Sequence, residues 1–290
     1  MSLSSYEASR FSGDPVNLYL FKYGVGQASY FGYTDAEETV NFGGNDYQPI
    51  PIDRGKLKST ASIDKSTLTV TTEQDSELAG LYLNYPPSSV TTLVIYQGHV
   101  DDPDRDYRVV WSGIVTSCSR KGSQAEFSCK PISTMLQRNG CRRRYQYGCP
   151  HVLYSQGDGL CNASKVDATV TTTVQSINGA RVILPNGWWG QRGADKFLQG
   201  MVEWIGLNGN IETRTILRVE SGGLRLLLSG PATGLGPGAL LNVVLGCNHK
   251  SGTDAQPDGD CGPLHNNVLN FGGQERIPLT NPIGLVNYYY

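Results

Sequence analysis

Apolar and polar residues alternate along much of the first half of this chain of 290 residues. Residues 16–23 (VNLYLFKY) form the first run, bounded by Gly13, Asp14 and Pro15 before it and Gly24 after it. A short run with that punctuation predicts a strand. Residues 30–33 and 38–42 continue the series and lead into a turn at Gly43, Gly44, Asn45 and Asp46. Residues 66–72 (STLTVTT) alternate with period two, as a half-buried strand does. Residues 90–97, 107–116 and 125–129 complete a run of short strands. Residues 77–83 predict a short helix, with Ser76 placed to cap it. Regular short strands with turn signals predict a barrel or sandwich.

The pattern breaks between residues 131 and 145. Residues 131–138 suit one or two helical turns, and Gly140 and the basic run 142–144 end them. The expected division is a β-rich domain over 1–136 and a second β-rich domain over 137–290. In the second, strands are predicted at 165–174, 181–185, 196–204, 211–219, 224–228 and 240–245, an insert spanning about 165–245. Asn178 with Gly179 and Asn208 with Gly209 are good hairpin turns between them. After residue 245 the chain reads as loop to its end. So long a loop needs something to pin it. The tetrapeptide Asn-Phe-Gly-Gly occurs at 41–44 and again at 270–273, but the flanks do not match and the repeat is read as coincidence.

Composition supports the β reading. With 35 glycines and 15 prolines, tight turns outnumber long helices. Lys+Arg is 24 and Asp+Glu is 26, a net charge of −2, so no basic excess calls for nucleic acid and no direct nucleic-acid specificity is expected. The first fifteen residues are polar and lack the apolar core of a secretory signal. The longest apolar stretches, such as 240–245, are too short to span a bilayer. The expectation is a protein made in a reducing cytoplasm, where 7 cysteines need not form disulfides.

Five of those cysteines form two groups: Cys141, Cys149 and Cys161, then Cys247 and Cys261. His151 and His249 each follow a cysteine by two residues, and His265 follows Cys261 by four. Two loops leaving one end of a β-domain and sharing ligands would pin the tail after residue 245. Four thiolates suit a tetrahedral zinc site or an iron–sulfur cluster, and mixed Cys/His ligation suits zinc. Disulfides or inert buried thiols fit the spacing as well, since neither group contains C-x-x-C.

Other features have plain readings. Cys118 and Cys129 flank a turn and are expected to be buried thiols. The acidic run 101–106 lacks the glycine and terminal glutamate of a calcium loop and reads as a solvated hairpin loop. Trp188 and Trp189 suit an exposed contact patch, core packing or a covered hairpin tip, and the terminal tyrosines 288–290 a neighbouring subunit or a loose tail. No G-x-S-x-G, P-loop or H-E-x-x-H is present. Cys149 with His249 is the one pairing that could act as nucleophile and base, and no enzyme is expected.

Residues 147–162 (YGCPHVLYSQGDGLCN) and 246–278 (GCNHKSGTDAQPDGDCGPLHNNVLNFGGQERIP) resemble the C-terminal region of a family of conserved phage tail-tip hub proteins. The first half is similar, more loosely, to the domain that precedes that region, in stretches 16–21, 30–35, 47–54, 66–71 and 109–115. The family comprises tail-tip or baseplate hub proteins of siphophages and gene transfer agents, similar to the lambda-type tail-tip iron–sulfur protein. The resemblance implies a mainly β chain: an N-terminal β-barrel or sandwich hub domain, then a β-rich cysteine domain stapled by a metal cluster. It implies a structural virion protein, assembled in the host cytoplasm, that forms a homotrimer closing the distal end of the tail tube. Its partners would be the distal tail protein and the central tail-tip or fibre protein. Carried over by position, Cys149, Cys161, Cys247 and Cys261 match the four ligands of a [4Fe–4S] cluster, and Cys141 is left over. The gap before Cys261 is longer than the family's through 253–259, which bears on loop length and not on ligand identity. A zinc-stapled virion or adaptor protein is the alternative, and a cysteine-dependent cell-wall hydrolase acting at DNA entry a more distant one.

Overall fold

The computed structural model describes residues 3–9, 13–24, 26, 29–57, 67–83, 85–100, 102–137, 145–206 and 209–277. Cys141, the basic run 142–144 and the tyrosines 288–290 lie outside them. The chain forms two compact units, Met1–Arg138 with Leu207–Glu212, and Asn139–Gly206 with Thr213–Tyr290.

In the first unit β1 (Pro15–Tyr23) is buried on both faces. Val16, Leu18 and Leu20 enter one apolar cluster, while Tyr19 and Phe21 enter another. That follows from alternation with apolar residues at nearly every position, the signature of a strand covered on both sides. The sheet also contains β2 (Ser29–Thr34), β3 (Val40–Phe42), β4 (Asn45–Pro49), β5 (Ile52–Arg54), β6 (Leu68–Glu73), β7 (Thr92–His99), β8 (Arg108–Lys121) and β9 (Gln124–Pro131). Their order is β3-β4-β2-β1-β7-β8-β9-β6-β5.

Only Ile50 and Pro51 separate β4 from β5, yet β4 pairs with β2 and β5 pairs with β6. One stretch of chain therefore joins both sides of the sheet, which must curl back on itself. Phe21 on β1 and Phe127 on β9 confirm the curl, with ring centroids 6.2 Å apart. In a flat sheet three strand spacings would hold them about 14 Å apart. Arg54 Nε on β5 likewise donates to Asn17 Oδ1 on β1 at 3.2 Å. The enclosed core collects Tyr19, Phe21, Leu68, Val70, Leu93, Ile95 and Phe127, with Leu78 and Ala79 from helix α2 (Glu77–Leu81). Ser76 caps α2, its Oγ accepting from Ala79 N at 3.3 Å. A second helix, α1 (Leu3–Ala8), precedes the sheet.

The second unit repeats the device. Its sheet contains β10 (Thr169–Thr173), β11 (Ser176–Asn178), β12 (Arg181–Ile183), β13 (Met201–Ile205), β14 (Ile211–Glu220), β15 (Arg225–Leu228) and β16 (Leu240–Val244). The order is β10-β16-β13-β14-β15-β12-β11, and its two terminal strands are separated only by Val174 and Gln175. Its core gathers Val182, Leu184, Trp188, Phe197, Val202, Trp204, Ile216, Leu241 and Val243. Trp188 is a core residue, its Nε1 donating to Gly223 O at 2.7 Å.

The differences from the sequence reading are local. The strand expected from 165 begins at Thr169, because residues 165–168 form a turn closed by Thr169 Oγ1 donating to Lys165 O at 2.6 Å. The strand expected from 196 begins at Met201, after a 3-10 turn at Ala194–Phe197 and a left-handed Gln199 with φ 63°. The acidic loop between β7 and β8 is not simply solvated. Asp102 is 2% exposed, and its carboxylate accepts from Asp104 N at 3.1 Å and Asp106 N at 3.3 Å. Among the described residues no helix is long and apolar enough to cross a membrane.

Candidate metal centre

Cys149, Cys161, Cys247 and Cys261 line one cavity in the second unit, together with His151, Leu153, Ala163, His249, His265, Asn267 and Asn270. The first two cysteines come from the loop that precedes β10. The other two come from the segment that follows β16. All four are free thiols.

Close backbone approach sets where the second segment starts. Gly246, immediately before Cys247, lies against Leu198 and Gly200, and a Cβ there would collide with Leu198 O and stand 2.8 Å from Gly200 N. Gly246 N donates to Lys196 O at 2.9 Å, and His265 Nε2 bonds Gly246 O at 2.8 Å. Tyr154 of the first loop donates its hydroxyl to Leu245 O at 2.7 Å.

Hydrogen bonds then knit the loops together. Cys149 N donates to His249 O at 2.8 Å, Gln274 N to Gln146 O at 2.8 Å and Gln256 Nε2 to Tyr147 O at 3.1 Å. Within the later segment, Cys261 N donates to Lys250 O at 3.1 Å, and Asp260 accepts from Asn248 N at 3.1 Å while pairing with Lys196 at 3.1 Å. Tyr154, Asn162, His249 and Asn266 all have positive φ, between 47° and 62°. Left-handed non-glycine residues persist only where surroundings hold them, and such residues concentrate at functional sites.

Donors also reach the sulfurs. Gly272 N points at Cys149 Sγ at 3.4 Å and His249 N at Cys247 Sγ at 3.4 Å. Asn267 joins the two loops: its Nδ2 donates to Cys161 O and lies 3.7 Å from Cys161 Sγ, while its own carbonyl accepts from the Cys261 thiol at 3.3 Å. Neither Asn267 nor Gly272 stood out as a functional residue in the sequence. The sequence signal for Gly272 is the tetrapeptide at 270–273, whose recurrence reads as coincidence.

Burial pushes the Cys247 thiol up to about 11, with Asp260 and the neighbouring cysteines adding to it against the His249 N–H. Burial and then the other three cysteines push Cys261 up to about 12. Cys149 goes the other way. Burial raises it, but the His249 imidazole and the Gly272 and His151 N–H groups outweigh burial and leave it below its ordinary value. The same hydrogen bond to Cys149 raises His249. Thiols that raise one another's pKa lie close enough to repel as thiolates, and a cationic group between them would release their protons.

Four thiols are a donor set that a single zinc ion or an iron–sulfur cluster can use. In a tetrahedral zinc site the sulfurs stand about 2.3 Å from the metal and hence about 4 Å from one another. Among the described residues no three His, Cys, Asp or Glu side chains converge that tightly to hold one metal ion. All-thiolate ligation with N–H groups aimed at sulfur is chemistry that zinc and iron–sulfur sites share. Cys118 and Cys129 are elsewhere, on β8 and β9 in the first unit, where burial raises Cys118 and pushes Cys129 up to about 12.

Two curled β-sheets and a thiol-lined cavity define a mainly β protein. The family model described as "Baseplate hub protein, N-terminal attachment domain" matches residues 19–164, half of the chain, which includes Cys149 and Cys161. The chain belongs to that family and is a structural component of the virion tail baseplate. It is 26% identical over 205 residues to a protein of Xylella fastidiosa (strain 9a5c) described as uncharacterized. That match takes in 64% of this chain and 42% of the relative, so the chain spans about two fifths of the relative's length. In fold it is similar to a chain of the virion of a native gene transfer agent particle, with TM-score 0.71 and 16% identity over 100% of this chain and 98% of that one.

Proposed function

We propose that this baseplate protein is the tail-tip hub, a homotrimer that closes the distal end of the tail tube, and that Cys149, Cys161, Cys247 and Cys261 hold a [4Fe–4S] cluster as a structural staple. The observation that carries the proposal is the convergence of those four thiols, from two segments on either side of a complete β-sheet, on one cavity. Membership of the baseplate hub family supports the tail-tip placement, and the likeness in fold to a chain of a gene transfer agent virion supports a place in a virion. The distal tail protein on one side and the central tip or fibre protein on the other are the proposed partners.

The chemistry asked of the cluster is cohesion. When bound, it supplies positive charge and four strong bonds that tie the glycine-rich segment after β16 to the loop before β10. The chain's own residues do the rest. Gly246 sets the entry of the second segment, Asn267 bridges the loops, and the N–H groups of Gly272 and His249 stabilise the sulfur charge.

Anaerobic purification followed by iron, acid-labile sulfide and zinc analysis tests the proposal, with the visible spectrum as a second readout. Four irons and four sulfides per chain are expected. A colourless protein with one zinc and no iron would establish the zinc-stapled alternative instead.

A further inference from the structure

His151 is 8% exposed and lines the cysteine cavity, yet neither Nδ1 nor Nε2 has a hydrogen-bond partner among the described residues. A buried imidazole must keep one N–H and one lone pair when neutral, and leaving both unmet forfeits their full hydration. Such groups in native proteins call for a specific account, commonly a bound group.

The ring's position is fixed. Gly272 packs against it so closely that a Cβ there would stand 2.5 Å from His151 Nε2. The N–H of the same glycine reaches Cys149 Sγ at 3.4 Å. The backbone that packs against the imidazole thus also donates to the Cys149 sulfur, so one segment holds both ring and ligand. His249 and His265 differ from it in this respect. His249 bonds the Cys149 thiol, and His265 Nε2 bonds Gly246 O at 2.8 Å. Of the three histidines in the cavity, His151 is the one whose nitrogens are left for an occupant.

We propose that the His151 imidazole donates a hydrogen bond to a sulfur of the group bound by Cys149, Cys161, Cys247 and Cys261, as a positioning residue and not as a fifth ligand. The inference rests on the cluster reading above. A donor aimed at a cluster sulfur stabilises the more negative, reduced state, and so raises the reduction potential and shields the sulfur from oxidants.

The test compares wild type, His151→Phe and His151→Gln, each purified anaerobically as the full chain. Phe keeps the ring's bulk without a donor; Gln keeps a donor. Iron and sulfide per chain should be equal in all three. His151→Phe should show a lower midpoint potential and several-fold faster bleaching in air, and His151→Gln should recover part of both. Full loading with unchanged potential and bleaching in His151→Phe would overturn the inference. So would loss of iron from His151→Phe, since that makes the ring a ligand or a packing element. Wild-type protein without iron and sulfide would sink the cluster reading itself, visibly and before any variant is compared, and this inference with it.

Discussion

Gly246→Ala is the most severe single-methyl change the second unit offers at the cysteine site. Its φ is not in the left-handed region, so the cost comes from space alone. The added Cβ would meet backbone, Leu198 O and Gly200 N, and no rotamer change can move those atoms. Either the end of β16 or the turn at 198–200 must shift. Four hydrogen bonds depend on their present positions: Gly246 N to Lys196 O, Leu245 N to Ala168 O, Tyr154 Oη to Leu245 O, and His265 Nε2 with Gly246 O. Each contributes about 1 kcal/mol net, and losing half of them removes about 2 kcal/mol. Overpacking adds about 1–3 kcal/mol. The expected destabilisation of the second unit is therefore about 4 kcal/mol. Gly236→Ala is the control, because a Cβ there meets nothing within 4 Å, and it should stay within about 0.5 kcal/mol of wild type. Urea unfolding in a Trp111→Phe background reads the second unit, since Trp188, Trp189 and Trp204 then carry the fluorescence. If Gly246→Ala falls within 1 kcal/mol of the Gly236→Ala control, the close-approach argument is wrong.

Phe127→Ala removes a fully buried ring that touches Phe21 and Tyr82 in the first unit, and should cost about 3–5 kcal/mol there in chemical denaturation; a cost below 1 kcal/mol would mean that the sheet does not enclose that core. Cys261→Ser should raise hydrogen exchange in the segment after Val244 while leaving β1 and β7 protected, and equal loosening of both units would contradict the staple. Cys129 is fully buried, with its pKa pushed up to about 12, so at pH 8 only about one part in ten thousand is thiolate. Iodoacetamide should leave Cys129 unlabelled in native protein and label it in urea, as peptide mass analysis would read; rapid native labelling would refute its burial.

Local pattern made most of the strands legible. Alternation in VNLYLFKY and STLTVTT located β1 and β6, and Ser76 marked the start of α2. Three short strands carried too little pattern to stand out. β4 ends at Pro49 with Pro51 two residues beyond, and β5 and β11 have three residues each. Those strands turn out to close the sheets, because β4 runs into β5 and β10 into β11. Such closure is a pairing between distant residues, and no local periodicity records it. At the site, the two cysteine groups together with the family resemblance pointed to the four thiols but not to what surrounds them. Asn267 acts through both its amide side chain and its backbone, and Gly272 through an N–H that every non-proline residue has. Their roles come from position in three dimensions, which residue type alone does not convey.

The most direct test of a cluster-stapled hub at the tail tip is a density map of the assembled tail, resolved at the baseplate. The account predicts three copies of this chain around the tail axis at the distal end of the tube. In each, compact metal density should connect Cys149, Cys161, Cys247 and Cys261, with His151 beside it and not bonded to it. A ring of different stoichiometry, or a single-atom peak joining fewer than four of those sulfurs, would contradict it.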